Sequence, residues 1–229
     1  MSGRNLLEDM TDQNFYGDIV PIIPPQLGWL QGKLSDKSIE KLWDCVEKYK
    51  GINTFDNQVL SNISSHWSLC DDNNWLFNTI LLPLCQKYAS CFVNLGENYG
   101  VTQRHNYCLS SFWVNFQKQN EFNPLHIHSA AIYSFVIWLK IPYDYREQHK
   151  IPISDNSSDS SASDFQFFYT NLLGGHNDYN YCLDKTSEGT ILFFPSKLPH
   201  QVYPFFNCDE YRVSISGNIT LDTSKVSIN

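Results

Sequence analysis

The sequence predicts a mainly β fold with a helical N-terminal part (α+β), a jelly-roll-like barrel with two helices packed on it. Three observations carry that expectation: two stretches of helical period before residue 100, about eight short segments of two-residue period after it, and no alternation of strands with helices of the kind that builds a βαβ sheet. A single domain over 1–229 is expected, with 1–100 as N-terminal arm and supporting helices, 101–220 as barrel core and 153–164 as a flexible loop.

Taken in order, 19–25 reads as a short strand or extended arm stopped by Pro24 and Pro25. Ser35 or Asp36 caps a first helix in which Ile39, Leu42, Trp43 and Val46 share a face, and Gly51 is placed to end it. Leu76, Ile80, Leu84, Tyr88, Cys91 and Leu95 recur at helical spacing over about 73–95, with a kink expected at Pro83. From Tyr107 to Gln117 the period is two, setting Phe112, Val114 and Phe116 against Trp113, Asn115 and Gln117. Further strands are expected at about 124–129, 131–142, 165–171, 179–184, 189–195, 199–205 and 210–220. Between them the Ser/Asp tract 154–164 has nothing apolar to bury and reads as a mobile loop, either a surface insertion or a lid over the barrel mouth.

Composition narrows the function classes. Hydrophobic residues at 42% and aromatics at 15% specify a folded core, while a formal charge of -8 argues against bare nucleic-acid duplexes and anionic membranes as partners. Seven cysteines without CxxC spacing suggest neither a disulfide framework nor a zinc finger, and are expected to be reduced and mostly buried. No signal-peptide core and no apolar run of membrane-spanning length is present, so a cytoplasmic location is expected.

The chemistry concentrates in NPLHIHSA, 123–130. Strand alternation points His126 and His128 to one face, where both can reach one metal ion. An HxH alone does not specify a metal, but His200 follows an apolar strand and a Pro-bounded turn, and a closed barrel brings such distant strands together. In YRVSISGN, alternation separates Tyr211, Val213 and Ile215 from Arg212, Ser214, Ser216 and Asn218. With the polar face inward, Arg212 and Ser214 form a receptor for a carboxylate, the guanidinium supplying a planar fork and the serine a hydroxyl; Lys140 is the next cation by type. Trp113 and Asn115 can line the same pocket. His66, His105, His149 and His176 have no strand-paired partner in the pattern and read as surface or capping residues.

His126-x-His128, then His200, then Arg212-x-Ser214 resembles the iron(II)/2-oxoglutarate-dependent oxygenases, with their HxD or HxE, distal His and RxS-type anchor. WVN ahead of NPLHIH, and GTILFFPSKLPHQVYPF ahead of EYRVSISGN, resemble a bacterial and phage branch that itself carries HxH; the likeness spans about 107–220. It implies a double-stranded β-helix (cupin-like), Fe(II) held by His126, His128 and His200, 2-oxoglutarate anchored by Arg212 and Ser214, and dioxygen as second cosubstrate. The reaction implied is hydroxylation of a protein side chain, nucleotide or small metabolite, with release of succinate and carbon dioxide. His128 stands where the common pattern has a carboxylate. Three arrangements follow: three imidazoles on the iron, His126 and His200 alone on it with His128 beside, or a cupin-like metal protein without oxygenase activity; a non-enzymatic jelly-roll binding or structural module with a vestigial metal site is the competing reading. A three-His dioxygenase working without 2-oxoglutarate is a further alternative.

Overall fold

The computed structural model describes residues 27–52, 61–92, 94–99, 106–155 and 160–222. The expected arm at 19–25, His105 and positions 156–159 of the Ser/Asp tract lie outside them. The first helix, α1 (Asp36–Tyr49), begins as its sequence dictates: the Ser35 hydroxyl accepts from the Ser38 amide at 3.3 Å, satisfying a donor that the first turn leaves unpaired. Gly51, at φ +78°, lets the chain turn away after the helix. Leu42 and Val46 bury the apolar stripe.

The second helical stretch is shorter and less regular than its spacing predicts. Asn73 and Asn74 adopt left-handed backbone (φ 56° and 53°), so the helix starts after them, with both Asp71 carboxylate oxygens accepting from the Leu76 and Phe77 amides at 2.8 Å. A wide turn over Phe77–Leu81 precedes α2 (Leu82–Cys91), which begins with Pro83 in its first turn. The proline has no N–H to give and its ring crowds the preceding turn; widening the turn ahead of it accommodates both. Leu95 falls in a separate short turn, Leu95–Tyr99.

The strands are β1 (Leu30–Lys33), β2 (His66–Ser68), β3 (Tyr107–Gln117), β4 (Asn123–His126), β5 (Tyr133–Lys140), β6 (Phe165–Thr170), β7 (His176–Tyr181), β8 (Thr190–Pro195), β9 (His200–Val202) and β10 (Arg212–Leu221), with single-turn helices α3 (Tyr145–Gln148) and α4 (Pro152–Asp155) after β5. The eight expected strands are all present. β1 and β2, with three or four residues each, are additions that pair on opposite edges of the larger sheet, and β2 places His66 in a strand. Among the described residues two antiparallel sheets form, one of six strands in the order β1-β8-β5-β10-β3-β2, the other of four in the order β4-β9-β6-β7. Their facing layers make the double-stranded β-helix.

Parity decides what each face of the six-stranded sheet does. Phe112, Val114, Phe135, Ile137, Phe193, Val213 and Ile215 pack under Leu42, Val46, Cys85 and Tyr88 of the helices, whereas Val136, Trp138, Leu192 and Phe194 meet Phe165 and Phe167 of the four-stranded sheet. β5 is buried on both faces, which explains its nearly continuous apolar run.

Two expectations are corrected. Among the cysteines only Cys85 is buried; Cys70, Cys91 and Cys182 are exposed, because they sit at element ends where the chain reaches the surface. The tract 154–164 is not a solvated loop throughout: Ser154, Ala162, Ser163 and Asp164 are buried. Hydrogen bonds permit this, since the Ser163 amide donates to the Pro204 carbonyl at 2.8 Å and the Asp164 carbonyl accepts from the Tyr203 amide at 2.9 Å.

Gly217 sits mid-strand in β10, between Phe135 and Phe112 on its neighbours. A Cβ there would lie 2.6 Å from both the Phe135 ring and the Ser111 carbonyl oxygen, so the backbone or the ring must shift. Gly217→Ala is expected to cost about 1–3 kcal/mol, the range of overpacked cores, seen as a lower urea midpoint at unchanged m-value.

Candidate metal centre

His126 ends β4 and His200 opens β9, and these two residues are direct partners in the antiparallel pairing of the two strands. His128 lies just past the paired part of β4, where its amide donates to the Ser196 carbonyl at 2.8 Å, and its ring still joins the other two. Ring centroids are 4.3 Å apart for His126–His200, 5.1 Å for His126–His128 and 5.2 Å for His128–His200. One nitrogen from each ring falls within 4.8 Å of the others, a spacing one metal ion can span.

Two of the rings are oriented from behind. His126 Nδ1 donates to the Pro124 carbonyl at 2.7 Å and His200 Nδ1 to the Leu198 carbonyl at 2.9 Å. A carbonyl can only accept, so each Nδ1 carries the proton and each Nε2 keeps its lone pair for a metal. His200 packs against Phe165, at 5.8 Å and 26°, and against Phe194, at 4.9 Å. Trp113 lies 6.1 Å from His128. This apolar packing disfavours charge: burial lowers the His126 pKa, burial and the neighbouring His126 push His128 down to about 4, and burial with His126 holds His200 well below the ordinary imidazole value. Three neutral imidazoles suit a divalent ion.

The cavity bounded by these histidines also takes in Trp113, Asn115, Arg212 and Ser214, so the polar faces of β3 and β10 do point inward. Arg212 is 2% exposed, and among the described residues its hydrogen bonds go only to neutral oxygens. Its Nε and Nη2 donate to Gln117 Oε1 at 3.1 and 2.6 Å, Nη2 to the Tyr203 carbonyl at 3.0 Å, and Nη1 to the Tyr143 hydroxyl at 2.5 Å and the Ser163 carbonyl at 2.7 Å. All five N–H groups have partners, yet no carboxylate is bonded to this buried cation among the described residues. Lys140 instead pairs with Glu210 at 2.6 Å on the surface.

Sequence reasoning missed Gln117, Tyr143 and Ser163. Gln117 was legible from parity, since it shares a face with Trp113 and Asn115; Tyr143 and Ser163 lie in connections with no periodic signal. Among the remaining histidines, His149 does cap α3 but also reaches the buried Asp164, with Nε2 3.0 Å from Oδ1. His66 Nδ1 lies 3.1 Å from the Ile63 carbonyl, and His176 starts β7 opposite Thr170.

Residues 111–218, just under half of the chain and nearly all of the barrel, match the family described as "Putative 2OG-Fe(II) oxygenase". The family matched is an enzyme class that uses iron(II) and 2-oxoglutarate as cofactors and dioxygen as cosubstrate. No curated protein sequence matches the chain. Among solved structures it is similar to a prolyl hydroxylase from Trichoplax adhaerens in complex with a hypoxia inducible factor oxygen degradation domain peptide fragment, at 12% identity, covering 86% of this chain and 86% of that one with a TM-score of 0.50. It is also similar to the non-heme alpha ketoglutarate dependent carbocyclase SnoK from nogalamycin biosynthesis, at 7% identity, covering 84% of this chain and 79% of that one with a TM-score of 0.50. At these identities the likeness is one of fold. No described helix is long and apolar enough to cross a membrane.

The depressed histidines give the metal-free protein a pH dependence of defined sign. The unfolded chain takes up a proton on His128 near 6.5 and the folded chain only near 4, so the stabilisation is complete above about pH 6.5 and is lost as pH falls towards 4. Urea midpoints of the metal-free wild type are therefore expected to fall more steeply over that window than those of His128→Gln, which has no imidazole to titrate there.

Proposed function

We propose that the protein is an iron(II)/2-oxoglutarate-dependent hydroxylase whose iron is held by His126, His128 and His200. The observation that carries this reading is the convergence of three neutral imidazoles on one point, two of them with the opposite nitrogen tied to a backbone carbonyl. Imidazole is an accepted ligand for iron(II), and the donor set fits the ion without a carboxylate; the lost anionic charge leaves the centre one unit more positive than the common two-His, one-carboxylate set. When bound, iron(II) with 2-oxoglutarate and dioxygen supplies the oxidising chemistry: the oxo acid leaves as succinate and carbon dioxide, and one oxygen atom enters a substrate C–H bond as hydroxyl.

The chain's own residues bind, orient and exclude water. Arg212 and Ser214 take the far carboxylate of 2-oxoglutarate, and the neutral shell around Arg212 supports this role, because a buried cation with no bonded anion favours one entering. The entering carboxylate would take over from Gln117 Oε1 or the Tyr143 hydroxyl, the two side-chain acceptors on the fork. Trp113 and Asn115 line the cavity between anchor and histidines, while Phe165 and Phe194 keep solvent off His200.

Anaerobic titration of the metal-free protein with iron(II) and then 2-oxoglutarate tests the reading, since the chelate absorbs in the visible. His126→Ala and His200→Ala are each expected to lose tight iron binding while remaining folded. His128 is separated by two variants: His128→Asp keeps iron and His128→Ala loses it. Equal iron content in both would exclude His128 as a ligand.

Arg212→Ala is expected to leave iron content near wild type and weaken 2-oxoglutarate binding by about a hundredfold, the usual scale for a desolvated bidentate pair. The variant also leaves Gln117, Tyr143 and two carbonyls short of a donor, so its melting temperature falls as well. Unchanged 2-oxoglutarate affinity would place the anchor elsewhere.

A further inference from the structure

Away from the three histidines, His149, Asp164 and Cys182 bring one nitrogen, one carboxylate and one sulfur within 4.8 Å of one another. The three come from separate stretches: His149 closes α3, Asp164 leads into β6, and Cys182 follows β7. Since Phe165 pairs with Tyr181, Asp164 and Cys182 are the next residues outward on adjacent strands. His149 Nε2 lies 3.0 Å from Asp164 Oδ1, and Cys182 Sγ lies 3.7 Å from Asp164 Oδ2. Zinc bonds of about 2.0–2.3 Å in tetrahedral array set such donors roughly 3.3–3.7 Å apart; both contacts of Asp164 fall near that range, and the His149–Cys182 pair, within 4.8 Å, closes to it by side-chain rotation.

The burial of Asp164 points the same way. Its side chain is 0% exposed, each oxygen faces one of the other two residues, and no lysine or arginine bonds to it among the described residues. Burial raises its pKa, outweighing the contacts of His149 and Cys182 and the more distant Arg212, which favour its ionised form. A carboxylate taken this far from water needs a cation or a proton. Cys182, by contrast, is at the surface and leaves an entry path.

We propose that His149, Asp164 and Cys182 form a second metal site, for zinc, with three protein ligands and a fourth position open to water. Binding exchanges the His149–Asp164 hydrogen bond for two metal bonds, with the imidazole proton moved to Nδ1, and releases the Cys182 thiol proton to solvent. The mixed nitrogen, oxygen and sulfur set suits a borderline-soft ion and differs from the all-imidazole set of the first centre. Such an ion ties the end of α3 to β6 and β7 and fixes Asp164, the residue after Ser163, whose carbonyl accepts from Arg212. The second site is thus a clamp behind the anion-binding arginine.

The test uses cobalt(II) as a coloured probe for zinc in the metal-free full chain, loaded without oxygen. A thiolate-to-cobalt charge-transfer band in the near ultraviolet is expected, and a three-histidine centre cannot give one. The band should be lost in Cys182→Ser, weakened at least tenfold in metal affinity in His149→Ala, and retained in the His126→Ala/His200→Ala double variant. Absence of the band in wild type, or its persistence in Cys182→Ser, overturns the proposal. Because the double variant removes only the first centre, failure of either centre is read separately. As a measurement on the unaltered chain, one equivalent of zinc beyond the first should slow alkylation of Cys182 at least tenfold, followed by mass spectrometry. Unchanged alkylation overturns the site as well.

Discussion

The antiparallel pairing of β4 with β9 is the constraint on which the rest depends. It sets His126 directly across from His200, and β9 in turn sets His200 across from Phe167 on β6. Side chains alternate at a period of two, so a slip of one residue in either pairing would turn one imidazole to the opposite face. Both strands are short, and their few ladder bonds could not hold that register alone; it is supported by the carbonyls of Pro124 and Leu198 behind the rings and by the aromatic packing of Phe165, Phe167 and Phe194. The apolar layer between the sheets thus does two things together, joining them and keeping the imidazoles uncharged.

A second constraint is the buried guanidinium. Removing Arg212 from water is costly unless every donor is met, and the chain meets all five with a glutamine, a tyrosine and two carbonyls from connecting segments. This accounts for the burial of Ser163 in a stretch that is almost entirely polar. The segment turns inward because its carbonyl is wanted there, and the left-handed backbone of Ser163 (φ 73°) belongs to the same turn. The acceptors bonded to the guanidinium are neutral, so its donors are not committed to a carboxylate.

Much of this was legible in the sequence where one periodicity ran for several residues. The cap at Ser35, the turn at Gly51 and the alternation through Tyr107–Gln117 all appear in the structure as their residue types require. His126, His128 and His200 were legible as a set because parity and strand order bring them together. What sequence could not reveal depends on non-local contacts. β1 and β2 are strands only because β8 and β3 offer open edges, and the late start of α2 depends on two asparagines adopting left-handed backbone. The cluster of His149, Asp164 and Cys182 is assembled where the β6–β7 hairpin meets the end of α3, from residues with no spacing in common, which is why reading cysteines for regular ligand patterns passed over it.

β10 carries two inventories on one strand. Its odd-numbered residues Val213, Ile215 and Ile219 support the helices, and its even-numbered residues Arg212 and Ser214 face the cavity. Substitutions can change either inventory alone, but an insertion or deletion of a single residue exchanges them, sending apolar groups into the cavity and a cation under the helices. The strand can therefore vary in composition and not in length, so divergence of the chain in this region should proceed by replacement, with gained or lost residues confined to the connections outside it.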